Sequence, residues 1–299
     1  MYLLKAVLIL MILLNVALIT LMERKLLGSV QIRKGPDKLG FVGLLQPFSD
    51  ALKLFSKENM FLLNYNKLIY YFSPVLALVL MLSYWVVVSY DNYTGNIEFD
   101  YVFIYVMVIS SLGVYVIILA GWASNSKYSM LGAYRGVAQV ISYEVVFSFL
   151  VLSLFIYVGS LGMTSLFNFQ CKGLWMMWGM FMMMIVWLVV LLAETNRTPF
   201  DLSEGESELV SGYNIEYGGV GFAMLFMAEY GNIIFMSWLS SVMFTSEVVV
   251  FVLVFMLIVL LCRGTYVRYR YDKLMYLSWK SILPFVLMMF YINNTLCAI

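Results

Sequence analysis

An all-α, polytopic integral membrane protein with about eight transmembrane helices and one interfacial amphipathic helix is the fold class that this sequence predicts. Of the 299 residues, 63% are hydrophobic and only 12% are charged, which is too apolar for a water-soluble domain of this length. Apolar runs near the ~20 residues that a helix needs to cross a bilayer recur along the chain. The ten-residue alternating segments that are typical of membrane β-barrels do not occur in the sequence.

The apolar windows predict a single transmembrane domain over residues 1–299. The first run is read as a retained span, because no small-residue cleavage site follows it and Glu23-Arg24-Lys25 comes next. The expected spans lie at about 3–22, 68–90, 101–120, 136–158, 174–193, 217–243, 247–262 and 281–298.

The basic residues are distributed on one side of this predicted topology. Successive loops must alternate between the two faces of the membrane, and the loops after spans 1, 3, 5 and 7 hold all but Lys5 and Lys172 of the 18 basic residues. Basic residues favour the inner face of a membrane. We therefore expect both termini to face outward and every motif-bearing loop to face the inner compartment.

The longest of these loops contains an amphipathic segment at about 46–58. The helical period places Phe48, Leu52 and Phe55 on one face and the charged residues elsewhere, as expected of a helix that lies in the membrane interface. This helix is either a simple surface anchor or the frame of an opening for a lipophilic ligand. In the same loop, glycines at 28, 35 and 40 predict a specific fold-back of the chain.

Two glutamates lie inside predicted spans, Glu144 in the fourth and Glu229 in the sixth. A carboxylate at membrane depth is costly unless it is paired, protonated or beside water. Glu194 and Glu216, at the adjoining ends of the fifth and sixth spans, extend the series toward the inner face. Each glutamate could simply hold helices together, but two of them beside an acidic loop favour a path for protons.

The acidic loop begins with two closely spaced helix-start patterns, at 198–201 and 203–206. Each has a capping side chain followed three residues later by a carboxylate, and Pro199 is suited to a first helical position. Asp201 and Glu206 are therefore interpretable as local caps.

Capping leaves two members of the acidic loop unexplained. Glu204 and Glu208 are four residues apart and would lie on one helical face as like charges. Their repulsion implies a cation, a basic partner or raised pKa values. The basic loops "ERKLLGSVQIRKGPDKLG" and "RGTYVRYRYDKLM" lie on the same predicted side.

Several chemistries are excluded by residue type. The chain has no histidine, and its three cysteines, Cys171, Cys262 and Cys297, are far apart. These features argue against a haem, an iron–sulfur cluster or a zinc site. We expect no metal site and no catalytic residue, and any proton chemistry must use carboxylates, lysine, tyrosine or water.

Six sequence blocks carry a resemblance to a known family. They are "ERKLLGSVQIRKGP", "LLQPFSDALKLFSKE", "GWASNSKYSMLGAYRGVAQVISYEV", "LAETNRTPFDLSEGESELVSGYNIEY", "FMAEY" and "RYRYDKLMYLSWKSILP". In order and spacing, they resemble the subunit 1 family of mitochondrial NADH:ubiquinone oxidoreductase, respiratory complex I. Departures are few, the clearest being Val267 where the family usually has proline.

The resemblance implies a role for each candidate site residue. It implies a ubiquinone tunnel lined by Arg24, Ala51 and Phe226. It implies a proton relay through Glu144, Glu194 and Glu229. It also implies an acidic coupling loop made by Asp201, Glu204, Glu206, Glu208 and Glu216.

The resemblance also implies cofactors, partners and location. Ubiquinone would be a substrate, no cofactor would be bound covalently, and FMN and iron–sulfur clusters would lie in partner subunits. The partners would be other membrane and peripheral-arm subunits, ubiquinone and membrane lipids, with no nucleic acid. The chain would lie in the mitochondrial inner membrane, with its motif loops facing the matrix and both termini facing the intermembrane space.

Two other functions stay open at this point. A free-standing proton or cation transporter could be built around Glu144 and Glu229, although the sequence has no convincing internal repeat. A membrane anchor subunit of a related membrane-bound hydrogenase would share much of the sequence and need not bind quinone.

Overall fold

A computed structural model describes residues 2–58, 65–87, 101–171, 175–203, 205, 212–246 and 248–298. Within these ranges the regular structure is helical, and no strand occurs. The all-α fold class predicted from composition and apolar periodicity is confirmed.

Twelve α-helices are formed by the described residues, and we number them in chain order. They are α1 Tyr2–Val30, α2 Gln46–Ser56, α3 Lys67–Tyr84, α4 Val102–Ala123, α5 Lys127–Val158, α6 Met163–Cys171, α7 Met176–Gly179, α8 Phe181–Glu194, α9 Gly219–Thr245, α10 Val249–Thr265, α11 Tyr271–Tyr276 and α12 Leu283–Ala298. A π-helical turn, Leu277–Ile282, joins α11 to α12 without a break.

Among the described residues, six helical segments are long and apolar enough to cross a membrane. They correspond to α1, α3, α4, α5, α9 and the continuous helix from α11 to α12. Two shorter apolar helices, α8 and α10, lie where the fifth and seventh spans are expected. The structure is thus that of an all-α polytopic membrane protein.

Several helices depart from the apolar windows at their ends. Helix α1 continues beyond residue 22 to Val30, and α5 begins at Lys127 rather than 136. An apolar window misses such polar turns, because a helix is continued by its backbone hydrogen bonds outside the hydrocarbon as well as inside it. In α5 the side chain of Ser126 caps the first turn, and Gly159, with φ of 76°, ends the last one.

The region of the fifth span differs most from the expectation. The described residues of this span, from 175 to 193, are divided mainly between the single turn of α7 and the helix α8. Helix α6 occupies part of the expected connection before them. In α8, the buried Trp187 donates a hydrogen bond from Nε1 to Ser240 Oγ of α9 at 2.8 Å. A buried indole N–H needs such a partner, so this bond fixes the position of α8 against the bundle.

Helices α5 and α9 form the centre of the bundle. In the most apolar stretch of each of these helices, more than half of the residues are buried. In the corresponding stretch of α1, about a quarter of the residues are buried. Helix α9 packs against α1, α2, α3 and α10, while α5 packs against α4, α8 and α12. Polar side chains on these two helices are therefore the ones most removed from lipid.

The loop after α1 folds back on the helix as its glycines predict. A Cβ on Gly35 would lie 2.9 Å from the Cα of Lys25, and a Cβ on Gly43 would lie 2.0 Å from the carbonyl oxygen of Pro36. Gly43 also has a φ of +77°, which disfavours a side chain. Lys25 Nζ stabilises this fold-back by donating a hydrogen bond to the carbonyl oxygen of Val42 at 2.5 Å.

Helix α2 occupies the position predicted for an interfacial helix. It packs against α1 and α9, and its apolar residues Phe48, Leu52 and Phe55 are exposed on the surface of the chain. An amphipathic helix with such a face is suited to contact lipid.

Candidate functional site: a carboxylate cavity and a buried ionic cluster

A polar cavity of ≈ 100 Å³ lies inside the bundle, between α3, α4 and α9. Its wall is made of polar and apolar surface in about equal parts. The polar groups that line it include Glu194, Asn196, Tyr213, Glu229 and Asn232. Two of the three glutamates assigned to a proton relay thus lie in the wall of one cavity.

Glu229 is held in this wall by two groups from the segment that precedes α9. The Tyr213 hydroxyl donates a hydrogen bond to Glu229 Oε1 at 2.6 Å. Arg197 Nη2 lies 4.0 Å from Glu229 Oε2, at the outer limit of an ion pair. This guanidinium supplies the positive charge that a carboxylate at this depth requires.

The cavity can hold water. Within the described part of the chain, no hydrogen-bond partner is found for three buried oxygen atoms in its wall, Glu194 Oε1, Asn196 Oδ1 and Asn232 Oδ1. Buried polar atoms are usually satisfied by protein or by water, and a water needs about 10–15 Å³ of such space. The cavity, with a volume of ≈ 100 Å³, therefore has room for several waters.

Another carboxylate, that of Glu23, is buried near the C-terminal end of α1. Glu23, only 4% exposed, forms an ion pair through Oε1 with Arg263 of α10 and accepts a hydrogen bond at Oε2 from the Tyr230 hydroxyl, at 2.6 Å. Both oxygens of this carboxylate are therefore occupied by donors.

Tyr230 and Arg197 connect the two carboxylates. The guanidinium carbon of Arg197 lies 4.4 Å from the centre of the Tyr230 ring, within the range of a cation–π interaction. A continuous set of contacts thus runs from Arg263 through Glu23, Tyr230 and Arg197 to Glu229. We call these five residues the ionic cluster.

The segment that carries Arg197 is fixed by the loop after α10. The Tyr269 amide donates to the Pro199 carbonyl oxygen at 3.0 Å, and the Phe200 ring lies between those of Tyr143 and Tyr269. Asp201 pairs with Arg268 at 3.5 Å.

One local prediction about this segment is wrong. Pro199 was expected at a first helical position with Asp201 as a cap, but residues 195–203 form turns. Tertiary contacts with the 266–270 loop override the helix-start pattern, and they use Asp201 as the partner of Arg268.

The three residues assigned to the quinone tunnel lie on three helices that contact one another. Arg24 of α1 pairs with Asp50 of α2 at 2.6 Å, and Ala51 follows in α2. Phe226 of α9 lies with its ring 4.7 Å from that of Tyr230. The structure therefore brings these positions to the same end of the bundle as the ionic cluster.

Other predicted residues lie apart from the cavity or outside the described ranges. Glu144 is half-buried on α5 and is not part of the cavity wall. Glu216 is half-buried, and its carbonyl oxygen accepts a hydrogen bond from Tyr70 at 2.7 Å. The three remaining acidic-loop residues lie outside the described residues: Glu204, Glu206 and Glu208.

Sequence reasoning missed several members of this site. In the sequence, Glu23, Arg197 and Arg263 are charged residues of predicted loops, and no pattern distinguishes Tyr213 from the other tyrosines. A carboxylate directly after an apolar run, as at Glu23, is the one signal that could have identified them, because burial of such a group requires a partner.

The fold and this site together define a class of protein. It is an all-α polytopic membrane protein whose interior holds carboxylates in a polar cavity, an arrangement typical of proteins that move protons or ions.

The comparisons identify the family. The NADH dehydrogenase family model matches residues 4–294. "NADH-ubiquinone oxidoreductase chain 1" of Aedes aegypti is 48% identical over 285 residues, covering 93% of this chain and 90% of the relative. The proteins of the same name from Locusta migratoria (49% over 283 residues, 93% and 89% covered) and Rhipicephalus sanguineus (46% over 302 residues, 97% and 96% covered) are similar. The chain belongs to the NADH dehydrogenase family.

Proposed function

We propose that this chain, as a membrane subunit of respiratory NADH:ubiquinone oxidoreductase in the mitochondrial inner membrane, forms the ubiquinone access tunnel and the first carboxylate relay that couples quinone reduction to proton translocation. The relatives' name, NADH-ubiquinone oxidoreductase chain 1, favours this role over a free-standing transporter or a hydrogenase anchor. The observation that carries the relay is the cavity shared by Glu194 and Glu229.

The tunnel part of the proposal rests on the contacts among α1, α2 and α9. Ubiquinone is an oily molecule that has to enter from the bilayer, and α2 presents exposed apolar side chains beside Ala51. Arg24 and Phe226 on the neighbouring helices would form the polar and apolar parts of the wall. A mixed wall of this kind suits a ligand with a polar headgroup and an apolar tail.

The relay part rests on the ability of carboxylates to take up and release protons through water. Glu194 and Glu229 would exchange protons within the cavity, and Glu144 on α5 would extend the path away from it. The acidic loop, from Asp201 to Glu216, would receive the signal from the quinone region. Tyr213 would keep the Glu229 carboxylate oriented toward the cavity.

Quinone chemistry supplies the driving force. Reduction of ubiquinone to ubiquinol takes up two electrons and two protons, and the electrons would come from FMN and iron–sulfur clusters in partner subunits. A unit change in charge about 10 Å from a buried carboxylate, at an effective dielectric constant of about 20, alters its energy by about 1.7 kcal/mol. That corresponds to a nearly 20-fold change in its protonation equilibrium, which is sufficient to move a proton.

The orientation follows from the basic loops. With the positive-inside distribution, the ionic cluster and the acidic loop would face the matrix and both termini would face the intermembrane space. The partners there would be the peripheral-arm subunits that bring electrons to the quinone, with other membrane subunits and lipids around the bundle.

The test is glutamine substitution in the assembled enzyme. Glu144→Gln and Glu229→Gln preserve side-chain shape, so assembly and NADH oxidation with a hydrophilic artificial acceptor should be retained. Proton-coupled ubiquinone reduction should fall about a hundredfold or more, because the usual contribution of a general acid or base begins at about that size. Glu58→Gln, at an exposed position, is the matched control. Full proton-coupled activity in both Glu144→Gln and Glu229→Gln would remove the relay.

A further inference from the structure

Tyr230 contacts charged groups with two different parts of its side chain. Its hydroxyl donates to Glu23 Oε2 at 2.6 Å, and its ring lies under the guanidinium of Arg197 at 4.4 Å. The side chain is 4% exposed, so neither contact is weakened by bulk solvent. One buried tyrosine therefore joins the carboxylate of α1 to the arginine that faces Glu229.

Glu23 cannot lose the hydrogen bond from the Tyr230 hydroxyl without a rearrangement of the groups around it. Its carboxylate is buried, and the two donors on it are Arg263 and Tyr230. A buried carboxylate oxygen left without a donor bears its full desolvation cost. Any change in the charge or position of Glu23 is consequently transmitted to the Tyr230 side chain.

Two groups of α9, the Glu229 carboxylate and the Tyr230 ring, attract the guanidinium of Arg197. The nearest distance to Glu229 Oε2 is 4.0 Å, which permits charge attraction but is too long for a direct hydrogen bond. The Tyr230 ring supplies the second attraction. A small movement of this ring alters where the guanidinium stands relative to Glu229, and hence how strongly it holds the charge of that carboxylate.

We propose that Tyr230 is a positioning residue that transmits the state of Glu23, beside the tunnel residue Arg24, to the Arg197–Glu229 pair at the cavity. This inference rests on the proposed function and adds the connection between its two parts. It assigns the hydroxyl to sensing Glu23 and the ring to placing Arg197.

Two substitutions separate these roles from simple packing. Tyr230→Phe keeps the ring and removes only the hydroxyl. Arg197→Lys keeps the positive charge and removes the planar group that stacks on the ring. Tyr157→Phe is the matched control, because it removes a hydroxyl that donates to Asn293 Oδ1 at 3.0 Å, between α5 and α12.

The measurements are made on assembled enzyme in proteoliposomes. They are ubiquinone turnover, its KM for ubiquinone, and protons translocated per NADH oxidised, each normalised to artificial-acceptor activity. Because a hydrogen bond to a charged group is lost, Tyr230→Phe should lower coupled turnover about tenfold and reduce the proton yield. The KM should stay within about twofold, since binding of the quinone is not altered, and Tyr157→Phe should match the natural enzyme.

The outcomes distinguish this inference from the proposed function. Normal turnover and proton yield in Tyr230→Phe, with Glu229→Gln defective, would overturn the inference and leave the relay intact. Normal coupling in both variants would overturn the relay itself. If Tyr230→Phe does not assemble, Arg197→Lys decides: reduced proton yield supports the connection, and an unchanged yield overturns it.

Discussion

Replacing Arg263 with methionine removes the positive charge that faces Glu23 while keeping much of the side-chain volume. The Glu23 side chain is 5% exposed and that of Arg263 is 35% exposed, so the two partners are buried to different extents. Removing one partner of a buried pair usually costs about 3–5 kcal/mol, because the remaining charge is uncompensated. Because Glu23 keeps its hydrogen bond from Tyr230, we expect Arg263→Met to cost about 3 kcal/mol of stability, the lower end of this range.

Replacing the other partner, Glu23, should destabilise the protein less. Glu23→Gln leaves a neutral amide whose oxygen can still accept from Tyr230, and it leaves an arginine that can turn toward water. We expect a cost of about 1 kcal/mol, the value of one hydrogen bond. In the double variant no charge is left buried, so its stability should resemble that of Glu23→Gln and differ from the sum by about 2–3 kcal/mol.

The order of stability among these variants can be measured by thermal inactivation of the assembled enzyme. The natural enzyme should have the highest midpoint, Glu23→Gln and the double variant should follow together, and Arg263→Met should be lowest. Equal midpoints for the two single variants, or additive losses in the double variant, would refute the claim that burial of Glu23 makes Arg263 necessary.

Two further predictions concern the fold-back after α1. Gly43→Ala should destabilise it by about 1–3 kcal/mol, since a Cβ there would lie 2.0 Å from a backbone oxygen, and should lower the inactivation midpoint. Gly218→Ala is the control, because its Cβ would meet nothing within 4 Å, and an equal loss there would contradict the steric reason. Arg24→Met should change that midpoint little, because the Arg24–Asp50 pair is exposed and worth at most about 1 kcal/mol. A large loss would show that Arg24 has a structural role.

The helical architecture was largely predictable because it depends on local sequence. Among the described residues, apolar runs located six long apolar helices and two shorter ones, and the phase of Phe48, Leu52 and Phe55 located the amphipathic helix α2. The glycine punctuation predicted the fold-back, whose contacts at Gly35 and Gly43 leave no space for a Cβ. Local patterns failed where distant loops meet, as at Pro199, since contacts with the 266–270 loop replaced the helix that the pattern favours.

The sequence by itself determined that this is an all-α membrane protein and that some of its apolar helices carry carboxylates, because hydrophobicity and charge are properties of each residue. Only the tertiary structure decided which carboxylates are neutralised and by what. Glu23 and Arg263 are 240 positions apart, and Glu229 faces Arg197 and Tyr213 from a preceding segment. A buried charge takes its partner from the residues that folding brings within a few ångströms, and chain spacing does not encode that distance.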